Sequence, residues 1–150
     1  MRAVIQRVLE SEVIVNGEVV GKIDKGILAL VAFSASDDDK TIDYMLSKIT
    51  GLRIFEDYND KMNVSLADIS GELLIVPNFT VYGDVRKGKR PSFINSAPPG
   101  IAEEIFNRFV KHAKDIFSGR VESGVFKADM KVKIINDGPV TVLIDSDKCV

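Results

Sequence analysis

Cysteine, histidine and tryptophan are scarce: the 150-residue chain has one, one and none of them. The lone Cys149 cannot form an internal disulfide, and a single histidine provides no cluster for a structural zinc. That histidine, His112, falls inside an amphipathic helical pattern rather than on a loop, where catalytic groups concentrate. A Ser-His-Asp or Cys-His arrangement therefore lacks its base, and His112 reads as a solvent-facing helix residue. Long apolar runs are missing too. Stretches such as Ile27 to Phe33 and Leu73 to Val76 are far too short to cross a bilayer, so no membrane partner is expected. Arg2 and Gln6 interrupt the first apolar residues, so no signal-peptide core can be drawn there and a cytoplasmic location is expected. There is no repeat, low-complexity tract or linker, which leaves one domain over residues 1–150 as the expectation. Excess charge of one sign is also absent. A net charge of −2 excludes a general nucleic-acid coat, so any RNA contact must come from a local patch.

What is present alternates between strand and helix periodicity. Ala3 to Leu9 and Val13-Ile14-Val15 read as strands, the second leading through Asn16-Gly17 to Val19-Val20. Asn-Gly between β-branched runs is a strong hairpin signal, because both turn positions need positive φ. Gly26 to Phe33 is apolar on both faces and reads as a central strand. Ser36, followed by three aspartates, reads as the N-cap of a helix carrying Ile42, Met45, Leu46 and Ile49 on one stripe. Arg53-Ile54-Phe55 and Gly71 to Val76 read as further strands. A second helix is predicted after Pro98-Pro99, with Ile101, Ile105, Phe109, Ala113 and Ile116 on one side. Val121 to Phe126, Lys131 to Ile135 and Val140 to Ile144 read as closing strands, the last two joined by a turn at Asn136 to Pro139. Two amphipathic helices among seven or eight strands predict an α+β fold, with a mostly antiparallel or barrel-like β core.

Three segments depart from plain scaffolding. In Val76-Pro77-Asn78-Phe79-Thr80-Val81-Tyr82, a proline, an amide and a hydroxyl end a strongly apolar strand. Proline cannot donate to a ladder, so the strand ends, bulges or lies at an edge there, either as an ordinary irregularity or to present backbone N–H groups and Thr80 to a pocket. In Asn136-Asp137-Gly138-Pro139-Val140-Thr141, the Gly-Pro pair marks a tight connection that can hold a cis peptide. In Arg86-Lys87-Gly88-Lys89-Arg90, four cations in five residues form either a solvated loop or a phosphate contact.

Together with Met1 to Val8, Leu52-Arg53-Ile54-Phe55-Glu56-Asp57, Lys61-Met62-Asn63, Arg90-Pro91-Ser92-Phe93 and Ala128-Asp129-Met130, these segments resemble the D-aminoacyl-tRNA deacylase family, in order, from Met1 to about Ser146. The resemblance implies that family's fold and a cytoplasmic homodimeric enzyme of translation quality control. Its substrate would be aminoacyl-tRNA, cleaved at the ester joining a D-amino acid, or mischarged glycine, to the terminal adenosine. It also implies no metal and no cofactor. The family's Asn-x-Gly-Pro-Val-Thr motif is intact at Asn136 to Thr141. By similarity, Gly138-Pro139 is the cis dipeptide that each subunit inserts into its partner's site, and Arg7 braces it. The other motif, Ser-Gln-Phe-Thr-Leu in the family, here reads Pro77-Asn78-Phe79-Thr80-Val81.

An aminoacyl ester is already reactive, so a site need only position water and stabilise the oxyanion. On this reading the backbone N–H groups around Phe79 and Thr80 form the oxyanion site. The Thr80 hydroxyl orients water or the ester, and Asn78 helps to hold the terminal nucleotide. Attack by Thr80 itself and assistance by the ribose 2′-hydroxyl stay open. Carbonyls of Gly138 and Pro139 would exclude an L side chain, with Asn136 in the same chirality-selecting set. Phe126 and Met130 are expected in the nucleotide pocket, and Arg86, Lys87, Lys89 and Arg90 at tRNA phosphates. The Pro77-Asn78 departure leaves two alternatives: a deacylase that tolerates L-alanyl-tRNA, and a non-catalytic dimeric RNA-binding module.

Overall fold

A computed structural model describes residues 1–149. In chain order the elements are β1 (Arg2–Val15), β2 (Glu18–Ile23), β3 (Gly26–Ala32), α1 (Asp39–Gly51), β4 (Phe55–Glu56), β5 (Met62–Val64), β6 (Glu72–Pro77), a 3-10 turn (Phe79–Tyr82), α2 (Pro99–Ile116), β7 (Val121–Ser123) and β8 (Lys131–Asp145). The fold is α+β. Its β1 is the spine: β3 and then β2 pair antiparallel along one edge, and β8 pairs antiparallel along the other. The sheet continues from β3 through β6 to β7 in parallel. It curls until β2 meets β7, where a Cβ on Gly21 would lie 2.7 Å from the Ser123 carbonyl oxygen. That close approach gives the β core its barrel-like closure.

Local chemistry explains much of this. Asn16 and Gly17 both take positive φ, as the β1–β2 turn requires. Ile42, Met45, Leu46 and Ile49 are all buried and form the stripe of α1. The cap of α1 is Asp38, whose carboxylate accepts the Thr41 N–H, not Ser36. Asp37 turns instead to the buried Met1 ammonium, 2.7 Å away, because a buried charge must be paired. On α2 the centre of the expected stripe, Ile105, Phe109 and Ala113, is buried as expected, and the two ends are not. Ala102, Ile105, Phe106, Phe109 and Ala113 are buried, whereas Ile101 and Ile116 are exposed.

Both helices pack on one face of the sheet, against Ala3 and Ile5 of β1, Ile27, Ala29 and Val31 of β3, and Leu73 and Ile75 of β6. A second cluster, including Val8, Val13, Ile23, Leu28, Leu74 and Val76, fills the other face. Because β3 and β6 are buried on both faces, they read as continuous apolar runs.

Several expected boundaries are corrected. Residues 2–15 form one strand, the segment around Arg53 pairs only at Phe55–Glu56, and the strand after α2 stops at Ser123. The largest change concerns Lys131–Ile135 and Val140–Ile144, which are not two strands joined by a turn. They are halves of one strand, β8, running along β1 in one direction. A 14-residue β1 gives them a common partner, and that long-range pairing overrides the turn signal of Gly-Pro.

Candidate active site

The parallel strands β3 and β6 end side by side, and a cavity of about 720 Å³ opens at their carboxyl ends. Ends of neighbouring parallel strands are common ligand sites because the chain must turn away there and leave a crevice. Leu30 and Val31 of β3, Val76 and Pro77 of β6, and Pro98, Pro99 and Ala102 at the start of α2 line it. Phe126, Ala128 and Met130, from the segment between β7 and β8, line it too. The lining is mainly apolar with a few polar groups, and the volume suits one nucleoside-sized ligand.

At the lip, Pro77 ends the ladder and Asn78 starts the 3-10 turn. The Asn78 N–H still reaches the Val31 carbonyl at 2.8 Å. Its side-chain Oδ1 then accepts the Thr80 N–H at 3.3 Å and the Thr80 hydroxyl at 2.5 Å. Asn78 therefore caps the turn and orients Thr80. The Phe79 N–H has no acceptor among the described residues. The Phe79 ring, 55 % exposed, meets Phe93 edge-on at 5.0 Å. Tyr82 anchors the far end of the turn. Its ring lies under the Arg2 guanidinium at 4.9 Å, and burial pushes its hydroxyl pKa up.

The Gly138-Pro139 segment is elsewhere. Gln6 pairs with Thr141 and Val8 with Asn136, so residues 137–140 bulge from β8 opposite Arg7 alone. Gly138 and Pro139 are exposed and joined by a cis peptide, and no residue from 136 to 141 lines the cavity. Arg7 continues the inward row of Ala3 and Ile5, so alternation carries its guanidinium inside, 4 % exposed. Nη1 donates to the Ile54 carbonyl at 2.8 Å and lies 3.4 Å from Glu56 Oε1. Nε donates to the Asp137 carbonyl at 3.3 Å and lies 3.1 Å from Asp137 Oδ2. Arg7 thus ties the base of the bulge to β4.

A model of the D-Tyr-tRNA(Tyr) deacylase family matches residues 4–145. The chain belongs to that family. Proteins named D-aminoacyl-tRNA deacylase from Kosmotoga olearia and Clostridioides difficile are 54 % and 53 % identical to it over 148 residues, covering 99 % of this chain and 99 % of each relative. Among solved structures, one titled c-Myc DNA Unwinding Element Binding Protein superposes with a TM-score of 0.92 at 37 % identity. It covers 97 % of this chain and 98 % of its own. A second, titled as a probable eukaryotic D-amino acid tRNA deacylase, reaches 0.79 at 20 % identity, covering 95 % and 97 %, and speaks for the fold.

In this deacylase, Asn78, Phe79, Phe126 and Met130 line the cavity, and Thr80 sits exposed beside it. The cationic run forms a separate loop, closed at its base by pairing of Asp84 with Ser92. Arg86 is the exception within that run. It makes three hydrogen bonds to the Asp84 carboxylate, from its N–H at 3.0 Å, Nε at 2.9 Å and Nη2 at 2.7 Å. Those bonds hold the Asp84 carboxyl well below the usual carboxylate range. Lys87, Lys89 and Arg90 have no acidic partner among the described residues. Sequence reasoning missed Phe93, whose signal was an aromatic residue within a polar loop, and it missed Ile54 and Glu56 as partners of Arg7. His112 remains on the outer part of α2, 2.6 Å from Asp43 of α1, and no helix among the described residues is long and apolar enough to cross a membrane.

Proposed function

We propose that this deacylase hydrolyses the ester between a D-amino acid, or mischarged glycine, and the terminal adenosine of tRNA, and that it works as a homodimer. The observation that carries the reading is the separation of the two family motifs. Phe79 and Thr80 border a nucleoside-sized cavity, while Gly138-Pro139 projects from the outer edge of β8 and takes no part in lining it. A second copy related by two-fold symmetry would bring each dipeptide to the other's cavity. Exposed Leu9, Ile135 and Leu143 on β1 and β8 supply apolar surface for such a pairing.

The terminal adenosine would enter between Phe79, Phe126 and Met130. Tetrahedral charge on the ester oxygen would be met by the free Phe79 N–H, a fixed donor needing no reorganisation as charge develops. The Thr80 hydroxyl, which already donates to Asn78, offers its lone pairs to the attacking water or to the substrate. Carbonyls of Gly138 and Pro139 would face the position of an L side chain, which then meets both overlap and unpartnered polar groups. A D side chain points away, and glycine has none to exclude. Lys87, Lys89 and Arg90 would contact tRNA phosphates. The reading includes no metal and no cofactor.

The test is hydrolysis of matched D-, L- and glycyl-tRNA by the purified protein without added metal, alongside sedimentation at the working concentration. The expected result is turnover of D and glycyl esters by a dimer. Turnover of L-alanyl-tRNA would favour the L-tolerant deacylase, absence of turnover the RNA-binding module, and an active monomer would overturn the shared site.

A further inference from the structure

A four-residue excursion from an edge strand is ordinarily a mobile loop, because its backbone groups have left the ladder and nothing packs over them. Asp137–Val140 is such an excursion through Gly138 and Pro139, which are exposed, while Val140 packs against the core and the two ends are tied together. Asn136 directs its side-chain nitrogen back beneath the bulge. There it donates to the Arg7 carbonyl across the ladder at 2.9 Å and to the Val140 carbonyl across the mouth of the loop at 3.0 Å. An amide nitrogen has two N–H donors, and here both are used. Inside the loop the available space is small. A Cβ on Gly138 would lie 2.8 Å from Val140 Cγ2 and 3.0 Å from Arg7 Nη2, at a φ of +120°.

We propose that Asn136 is a positioning residue: its side-chain amide staples both ends of the 137–140 bulge, so that Gly138 and Pro139 are presented in one shape without Asn136 itself reaching the substrate. The inference rests on the reading that this dipeptide selects chirality. It also explains why an asparagine suits this position. Aspartate has the same outline but no N–H, so its carboxylate would face two carbonyl oxygens. Alanine would leave both carbonyls without their donor. Serine has one donor and too short a reach for both.

The experiment compares wild type with Asn136→Ala, Asn136→Ser and Asn136→Asp in the full-length protein. It measures kcat/KM on D- and L-tyrosyl-tRNA, thermal stability, and the NMR order parameter of the Gly138 N–H vector. Expected is at least a tenfold fall in the D-to-L ratio, with the Gly138 order parameter dropping from the range of rigid backbone to below about 0.6 while those of β3 stay unchanged. Asn136→Asp should be affected most at neutral pH. Its D-to-L ratio should rise as pH falls toward 5, because the protonated acid regains one donor and the two facing carbonyls raise its pKa. Simple loosening of the fold would not produce that pH dependence. Should Asn136→Ala retain the wild-type ratio, the positioning role is overturned, whether or not the Gly138 order parameter falls. A wild type that cleaves L and D esters equally would remove the chirality reading instead, and the Gly138 order parameter would still decide whether the staple holds the bulge.

Discussion

The two proline-bearing irregularities of this chain have opposite fates. At Pro77 the strand ends between a parallel neighbour and a helix, so the following turn faces a cavity and its side chains line the lip. At Pro139 the strand continues after a bulge, but on an edge, so the same kind of disruption faces outward. Sequence pattern marks both as breaks in β structure. What separates them is the neighbour: a ladder partner that also ends leaves a hollow, whereas one that continues pushes the extra residues out. Under the proposed function, in which one site uses both, that site takes two copies of the chain.

The sharpest way to break this comparison is to remove the tie beneath the outward segment. Arg7→Ala would leave the Ile54 and Asp137 carbonyls without their donor and should lower stability by about 2–4 kcal/mol, counting unpaired carbonyls and lost packing. In thermal denaturation that is a fall of roughly 10 °C for a chain of this size. D-to-L discrimination should fall with it; an Arg7→Ala protein with unchanged Tm would mean that the buried guanidinium contributes nothing net.

Gly138→Ala comes next. It places a methyl group at positive φ against Val140 and Arg7, at a cost of about 1–3 kcal/mol. Because the segment is exposed, the bulge should yield before the fold does. Discrimination on matched tRNAs is expected to drop roughly 10-fold or more, and an alanine variant indistinguishable from wild type would show that the shape of the bulge is irrelevant.

On the inward segment the effects should be smaller and of another kind. Phe79→Ala removes an exposed ring that meets Phe93 edge-on, so stability should change by about 1 kcal/mol or less while KM rises several-fold. Thr80→Ala should slow hydrolysis only a few-fold, since the Phe79 N–H remains, and should lower kcat rather than raise KM. Equal kcat in wild type and Thr80→Ala would end any role for the hydroxyl in the chemical step.

The smallest effect is expected within the basic loop, where Arg86 and its neighbours differ. Reversing Lys87, Lys89 and Arg90 together should flatten the salt dependence of tRNA binding, by about one unit of slope per lost phosphate contact. Arg86→Ala should change that slope less than any one of the other three, because its charge is already matched by Asp84. An equal or larger change for Arg86 would mean that the Asp84 pairing opens when tRNA binds.

By itself the sequence determined the parts whose physics is local. Asn16-Gly17 had to turn because of its backbone freedom, the stripe Ile42, Met45, Leu46 and Ile49 had to face a core, and the apolar runs of β3 and β6 had to be central. It also carried the family resemblance, through blocks spread along the whole chain. Tertiary structure alone decided the rest. Only a 14-residue β1 joins 131–135 and 140–144 into one strand, and only inward alternation buries Arg7 beside Ile54, 47 positions away. The same holds for Asn136 with its bond to the Arg7 carbonyl and for Phe93 against Phe79. Each depends on which distant segment the backbone brings alongside, and a residue's local periodicity fixes its face but not its neighbour.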